Sequence, residues 1–171
     1  DFSGAHLDSA DFKFCDMTKV DLSEANLVRA IFEKSKFNDV SFKNADATLA
    51  NFYQATFTDS QLNFTKLSGA NLQESNFAET SLDNAILSGA NLRSAAFASG
   101  SSLEQADLSG VAAGKAILAG INLSKAVLNS ADFTGADLSG ALLQNVSARR
   151  TVFDEANLQE SSLKATDFYK A

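Results

Sequence analysis

Apolar residues return every fifth position along this chain. Counting from Phe2, the fifth residues are Phe2, Leu7, Phe12, Met17, Leu22, Leu27, Phe32, Phe37, Phe42, Ala47, Phe52, Phe57, Leu62, Leu67, Leu72, Phe77, Leu82, Leu87, Leu92 and Phe97. Across Ala98–Ser102 the frame moves by one residue and continues as Leu103, Leu108, Ala113, Leu118, Leu123, Leu128, Phe133, Leu138, Leu143, Ala148, Phe153, Leu158, Leu163 and Phe168. Of these 34 positions, 31 are Leu, Phe or Met, and from Leu7 onward the residue two before each is always small or β-branched. We number each unit about its large residue, position 0, with −2 and −1 before it and +1 and +2 after it.

A period of five fits neither the 3.6 of a helix nor the 2.0 of a continuous strand. Positions −2 and 0 are two apart and therefore point to one side of a short extended segment, so the remaining residues must turn the chain. Repetition of segment and turn predicts a solenoid with one large and one small side chain inward per side and three positions facing solvent. Central Phe residues are separated by 20 six times and by 5, 10, 15 or 25 three times each, which favours four sides per coil. Phe12, Phe32 and Phe52 then stack on one side, and Phe37, Phe57, Phe77 and Phe97 on the next.

The units AHLDS, ANLVR, ANLQE, ANLRS, ADLSG and ADFTG resemble the A(D/N)LXX units of the pentapeptide-repeat family, over the entire chain. The resemblance implies an all-β fold, a right-handed quadrilateral β-helix of about eight to nine coils with a one-residue insertion near Gly100. At about 4.8 Å per coil it would be about 40 Å long. Residues 1–171 are expected to form one solenoid domain.

Several details follow from this frame. Gly4, Gly69, Gly89, Gly110, Gly120, Gly135 and Gly140 fall at +2, where the corner turns and positive φ is cheap for glycine. Ala47, Ala113 and Ala148 stand where a large side chain is expected, and Leu49 is the expected compensation near Ala47. The insertion reads as a bulge that preserves the coil or as a short protruding loop. The chain starts and ends inside the repeat with no recognisable cap, so end-to-end or edge self-association is one expectation.

Composition narrows the function. There are 14 Lys and Arg against 21 Asp and Glu, a net charge of −7 that opposes direct nucleic-acid binding. No apolar run is long enough for a membrane span, no signal peptide is evident, and the compartment stays undetermined. The single histidine, His6, points outward and the single cysteine, Cys15, falls at an inward small position, so neither a His triad nor a Cys-based zinc site is available. No catalytic, cofactor or metal residues are expected, and the chain reads as non-enzymatic.

What remains is surface. Lys19, Asp39, Asp59 and Glu79 share position +2 in successive coils, which aligns three acids about 5 Å apart. This column reads either as a solvated face softened by Lys19 and Lys36 or as a recognition surface. Tyr53 beside Ile31 is a candidate apolar contact, while Phe14, Phe64, Ile86, Ile117, Leu142 and Val152 also point outward. The expected role is a rigid scaffold that binds a protein partner. The family resemblance implies an alternative, since some pentapeptide-repeat proteins imitate B-form DNA and occupy the DNA site of gyrase, protecting it from quinolones.

Overall fold

The computed structural model describes residues 1–98 and 100–171. The chain winds as a right-handed, four-sided coil, with no helix among the described residues. One column of parallel pairs runs His6, Asn26, Asp46, Lys66, Ile86, Asp107, Val127, Ser147 and Asp167. Its step is 20 residues except between Ile86 and Asp107, where it is 21, and Ser81–Ser102, Asn91–Ala112 and Ala96–Ile117 show the same single added residue. The insertion is therefore absorbed at one corner without interrupting the coil. Ser99, which belongs to the Ala98–Ser102 insertion, lies outside the described residues.

One side carries true strands, β1 (Asp16–Thr18), β2 (Lys36–Asn38), β3 (Thr56–Thr58), β4 (Asn76–Ala78) and β5 (Ala96–Phe97). They form a parallel sheet in sequence order, with Met17, Phe37, Phe57, Phe77 and Phe97 in register. Elsewhere each side is a single bridge at −1 followed by a turn.

Local chemistry makes that turn. The N–H at −2 of the following unit donates to the carbonyl at 0, as from Ala25 to Leu22 (3.2 Å) and from Ala136 to Phe133 (2.9 Å). Position +2 is left-handed at every described unit, from φ 50° at Asp59 and Glu79 to φ 69° at Gly120. Glycine relieves the strain at Gly69 and Gly135, but Leu49 and Phe64 adopt the same conformation. The Asp or Asn at −1 accepts the N–H at +1, as Asp21 does from Ser23 (2.8 Å), Asn51 from Tyr53 (3.1 Å) and Asp137 from Ser139 (3.0 Å). That bond explains the A(D/N)LXX consensus: the side chain holds the corner in place.

The core is one cluster from Leu22 to Ala148, filled by positions −2 and 0. Phe12, Phe32 and Phe52 stack with ring centroids 5.2 and 5.0 Å apart, and Phe37, Phe57, Phe77 and Phe97 at 4.8, 4.7 and 4.5 Å. Inner rings such as Phe32, Phe57 and Phe77 are buried by those above and below, so the ladders bring stacking and apolar burial together. Leu49 does not compensate for Ala47. It is 50% exposed, because its left-handed +2 position points it outward, where it lies over Gly69. The coil containing Ala47 is instead filled by three rings, with Phe42 reaching Phe57 at 6.0 Å and Phe52 at 6.1 Å.

The strand side solves a different problem. Around β2, β3 and β4 the −2 N–H groups that follow do not bond to the carbonyl of their own turn. The Val40 N–H donates to Ser60 Oγ (3.2 Å), the Ser60 N–H to Thr80 Oγ1 (3.5 Å) and the Thr80 N–H to Ser101 Oγ (3.2 Å). The Ser60 and Thr80 hydroxyls donate in turn to the Thr58 and Ala78 carbonyls, at 2.9 and 2.8 Å. Past the insertion the ordinary turn returns, from Ile121 N–H to Leu118 O (3.2 Å), and the hydroxyl is replaced by an apolar side chain.

Ser60→Ala removes the buried acceptor of the Val40 N–H and should destabilise the protein by about 1–3 kcal/mol. Ser75→Ala, which removes only a donor to the Leu72 carbonyl, should cost less, since that carbonyl keeps the Ser75 N–H. Urea unfolding of both variants measures the difference; equal losses would show that the ladder bears no special load.

Candidate interaction surface

The coil fixes the outward positions rigidly, each repeated about 4.8 Å above the last. Asp39, Asp59 and Glu79 follow β2, β3 and β4 at the corner of the strand side, and all three are exposed. Their backbones are locked in the stack, with the Asp39 N–H on Thr58 O (3.0 Å) and the Asp59 N–H on Ala78 O (3.1 Å). Among the described residues none of the three carboxylates forms an ion pair or a hydrogen bond. The Glu79 carboxylate overhangs Gly100, where a Cβ would run into it. Lys19 occupies the same column, but Lys36 does not soften it, because its ammonium pairs with Asp16 at 3.6 Å.

Several other acids in the chain are engaged. Asp21 is held below the usual carboxylate range by the Ser23 hydroxyl and N–H, Asp132 by those of Thr134, and Asp137 by those of Ser139. Lys125 lowers Glu104 and Arg149 lowers Asp167, at contacts of 3.0 and 2.6 Å. Burial pushes Asp46 up, but the Thr48 turn and Lys66 outweigh it and its carboxyl is lowered. Asp39, Asp59 and Glu79 are not among these, nor are Asp8, Glu24, Asp154, Glu155 and Glu160; what sets the three apart is their place at one corner of three successive coils.

Ile31 and Tyr53 lie on the neighbouring side in adjoining coils, both partly buried. Tyr53 donates its hydroxyl to Glu74 Oε2 (3.4 Å), which also accepts from Gln54 Nε2 (2.7 Å). Burial and the Glu74 charge raise the Tyr53 pKa. Beside them runs an amide ladder in which Asn71 Nδ2 donates to Asn51 Oδ1 (3.0 Å) and Asn91 Nδ2 to Asn71 Oδ1 (3.3 Å). The periodicity of large residues misses this ladder; the same 20-residue spacing applied to Asn finds it. The remaining outward apolar residues are dispersed, and Phe14, 68% exposed, sits beneath the Lys34 ammonium at 5.8 Å. His6 is exposed and Cys15 half-buried. No helix among the described residues is long and apolar enough to cross a membrane.

Two family models match the sequence. A pentapeptide repeat region model covers residues 30–108, and a model of eight pentapeptide repeats covers 1–33, 106–145 and 136–171. No curated protein matches. Among solved structures, QnrB1, a plasmid-mediated fluoroquinolone resistance protein, is 18% identical with a TM-score of 0.63, covering 94% of this chain and 84% of its own. A pentapeptide repeat protein of the Arabidopsis thaliana thylakoid lumen is 32% identical with a TM-score of 0.54, covering 56% of this chain and 66% of its own. HetL from the cyanobacterium Nostoc, involved in regulating heterocyst differentiation, is 23% identical with a TM-score of 0.42, covering 98% and 88%.

The turn-held carboxyls predict an acid-dependent stability. Their folded pKa values are lowered, so each stabilises the fold above its unfolded value of about 3.9 and loses that contribution as pH falls through the folded value. Asn occupies the same corner at Asn26, Asn51 and Asn71 and makes the same bond. The triple variant Asp21→Asn, Asp132→Asn, Asp137→Asn should therefore show a shallower fall in thermal midpoint between about pH 5 and pH 2. An unchanged slope would mean that these corners do not drive acid unfolding.

Proposed function

This chain belongs to the pentapeptide-repeat family, and on that premise we propose that it is a non-enzymatic scaffold, one solenoid domain over residues 1–171, whose sides bind a protein partner. The observation that carries the reading is the column Asp39, Asp59 and Glu79: three exposed carboxylates, held at fixed spacing by a rigid sheet and satisfying nothing within the fold. Like charges in register raise the energy of the free protein, and a partner with matching cations would lower it. Ile31 and Tyr53 add apolar contact area on the adjoining side. An interior filled by Leu, Phe and Ala supports the absence of an enzymatic pocket.

Affinity capture from the native host with wild type and with Asp39→Lys, Asp59→Lys, Glu79→Lys tests this directly. Loss of a specific partner in the variant, with folding intact by circular dichroism, supports the acidic column as the contact. Identical partner lists would remove the column from the interface.

A second reading rests on the acid spacing and the net charge of −7. The column would imitate the phosphates of DNA and occupy the DNA site of gyrase. The fold shared with a fluoroquinolone resistance protein supports this reading at the level of architecture. In a supercoiling assay the chain should then inhibit gyrase or relieve quinolone inhibition, and the triple Lys variant should not. No effect of wild type at micromolar concentration would end this reading.

A further inference from the structure

Eight of the nine glycines have the left-handed backbone that favours glycine; Gly114 does not. It stands at position +1, and a Cβ there would meet only the Thr134 carbonyl oxygen, at 3.6 Å, an ordinary van der Waals distance. Neither backbone nor packing requires glycine at this point. At this point lies a groove of about 410 Å³ spanning four coils, lined by Gln73, Arg93, Ser94, Lys115, Asp132 and Thr134 around the bare Gly114 backbone.

The charges in this groove are unevenly committed. Asp132 Oδ1 accepts both the N–H (3.0 Å) and the hydroxyl (2.6 Å) of Thr134, so the acid is held by its own turn. Arg93 and Lys115 form no ion pair among the described residues. Two cations against one carboxylate, which Arg93 helps to lower, leave the groove with a net positive charge in a protein of net charge −7. Its walls are preformed, since the Ser94 N–H is fixed on Gly114 O (3.0 Å) and the Lys115 N–H on Thr134 O (2.9 Å).

We propose that this groove binds an oxyanion, a carboxylate or a phosphate group, held between Arg93 and Lys115 over the Gly114 backbone. The guanidinium supplies two parallel donors matched to paired oxygens, the ammonium a compact charge, and glycine lets the ligand approach the chain closely. A volume of this size accommodates a small molecule or a single side chain of a partner. The proposal stands apart from the acidic column and does not depend on it.

Amide-detected NMR titration of the full chain at constant ionic strength, with inorganic phosphate and with acetate as separate probes, tests it. Saturable shifts centred on Arg93, Ser94, Gly114 and Lys115, with a Kd on the order of millimolar, are expected for at least one probe, and the tighter probe identifies the group. Gly114→Leu fills the groove without changing its charge and should weaken binding at least about tenfold, as should Arg93→Gln with Lys115→Gln; Arg150→Gln should leave it unchanged. Dispersed spectra verify that the variants are folded, and if Gly114→Leu is not, the charge variant decides. No saturation by either probe up to about 50 mM, equal shifts at Arg149 and Arg150, or binding unaffected by the decisive variant would overturn the proposal.

Discussion

The whole structure depends on a corner that no isolated unit would choose. At 26 of the described non-glycine positions, as at the +2 glycines, the backbone is left-handed, a conformation that costs an ordinary residue roughly 1–2 kcal/mol. A single pentapeptide cannot offset that with one turn hydrogen bond. Stacking can, because each unit exchanges backbone bonds with the coil above and the coil below while burying its −2 and 0 side chains. Leu27 donates to Asp46 O at 2.7 Å, and Asp46 donates back to Ala25 O at 2.9 Å. The fold is cooperative along its axis for this reason, as nearest-neighbour repeat stability requires.

The strand side shows how narrowly the corner is specified. Where the chain runs straight for three residues, as in β2 and β3, the usual turn bond is lost and a buried N–H is left without its carbonyl. Ser60, Thr80 and Ser101 supply the missing acceptors from the coil above. The insertion falls at the end of this ladder, and beyond it Ile121 and Ala141 return to the ordinary turn. One added residue thus separates two ways of building the same side, with the parallel pairing continued on both.

Much of this was legible in the sequence because position 0 is chosen by volume alone. The five-residue period, the four sides and the Phe12 and Phe37 stacks all follow from where large residues fit. Less legible were choices made by hydrogen bonding. Ser60 and Thr80 look like any small residue at −2, and their distinct role depends on strands that the period does not distinguish. Leu49 misled because its apolar side chain suggested the core, whereas the left-handed corner turns it to solvent. Lys36 was expected near Asp39, but parallel pairing sets it directly over Asp16. For the candidate site, the column Asp39, Asp59, Glu79 was visible from spacing; the lack of partners for its carboxylates required coordinates. Tyr53 and Ile31 were placed on the right side, but the bond to Glu74 crosses coils and carries no periodic signal.

A scaffold this regular makes its exceptions informative. Outward residues carry no burial constraint, so most settle into roles the fold can use: Asp and Asn brace corners, Lys66 and Lys125 pair with acids of the preceding coil. Side chains with no such role are the ones whose identity the fold does not explain. Asp39, Asp59 and Glu79 fall in that group with several other acids, and they differ in being aligned over three successive coils at one corner of the strand side. Ser94 and Lys115 flank its other corner, within two coils of Glu79, with the Gly114 groove beside them. The two features differ in charge and stand at opposite corners of one side, at a separation the coil fixes. A partner reading both would be oriented as well as bound, since reversing it would place like charges together.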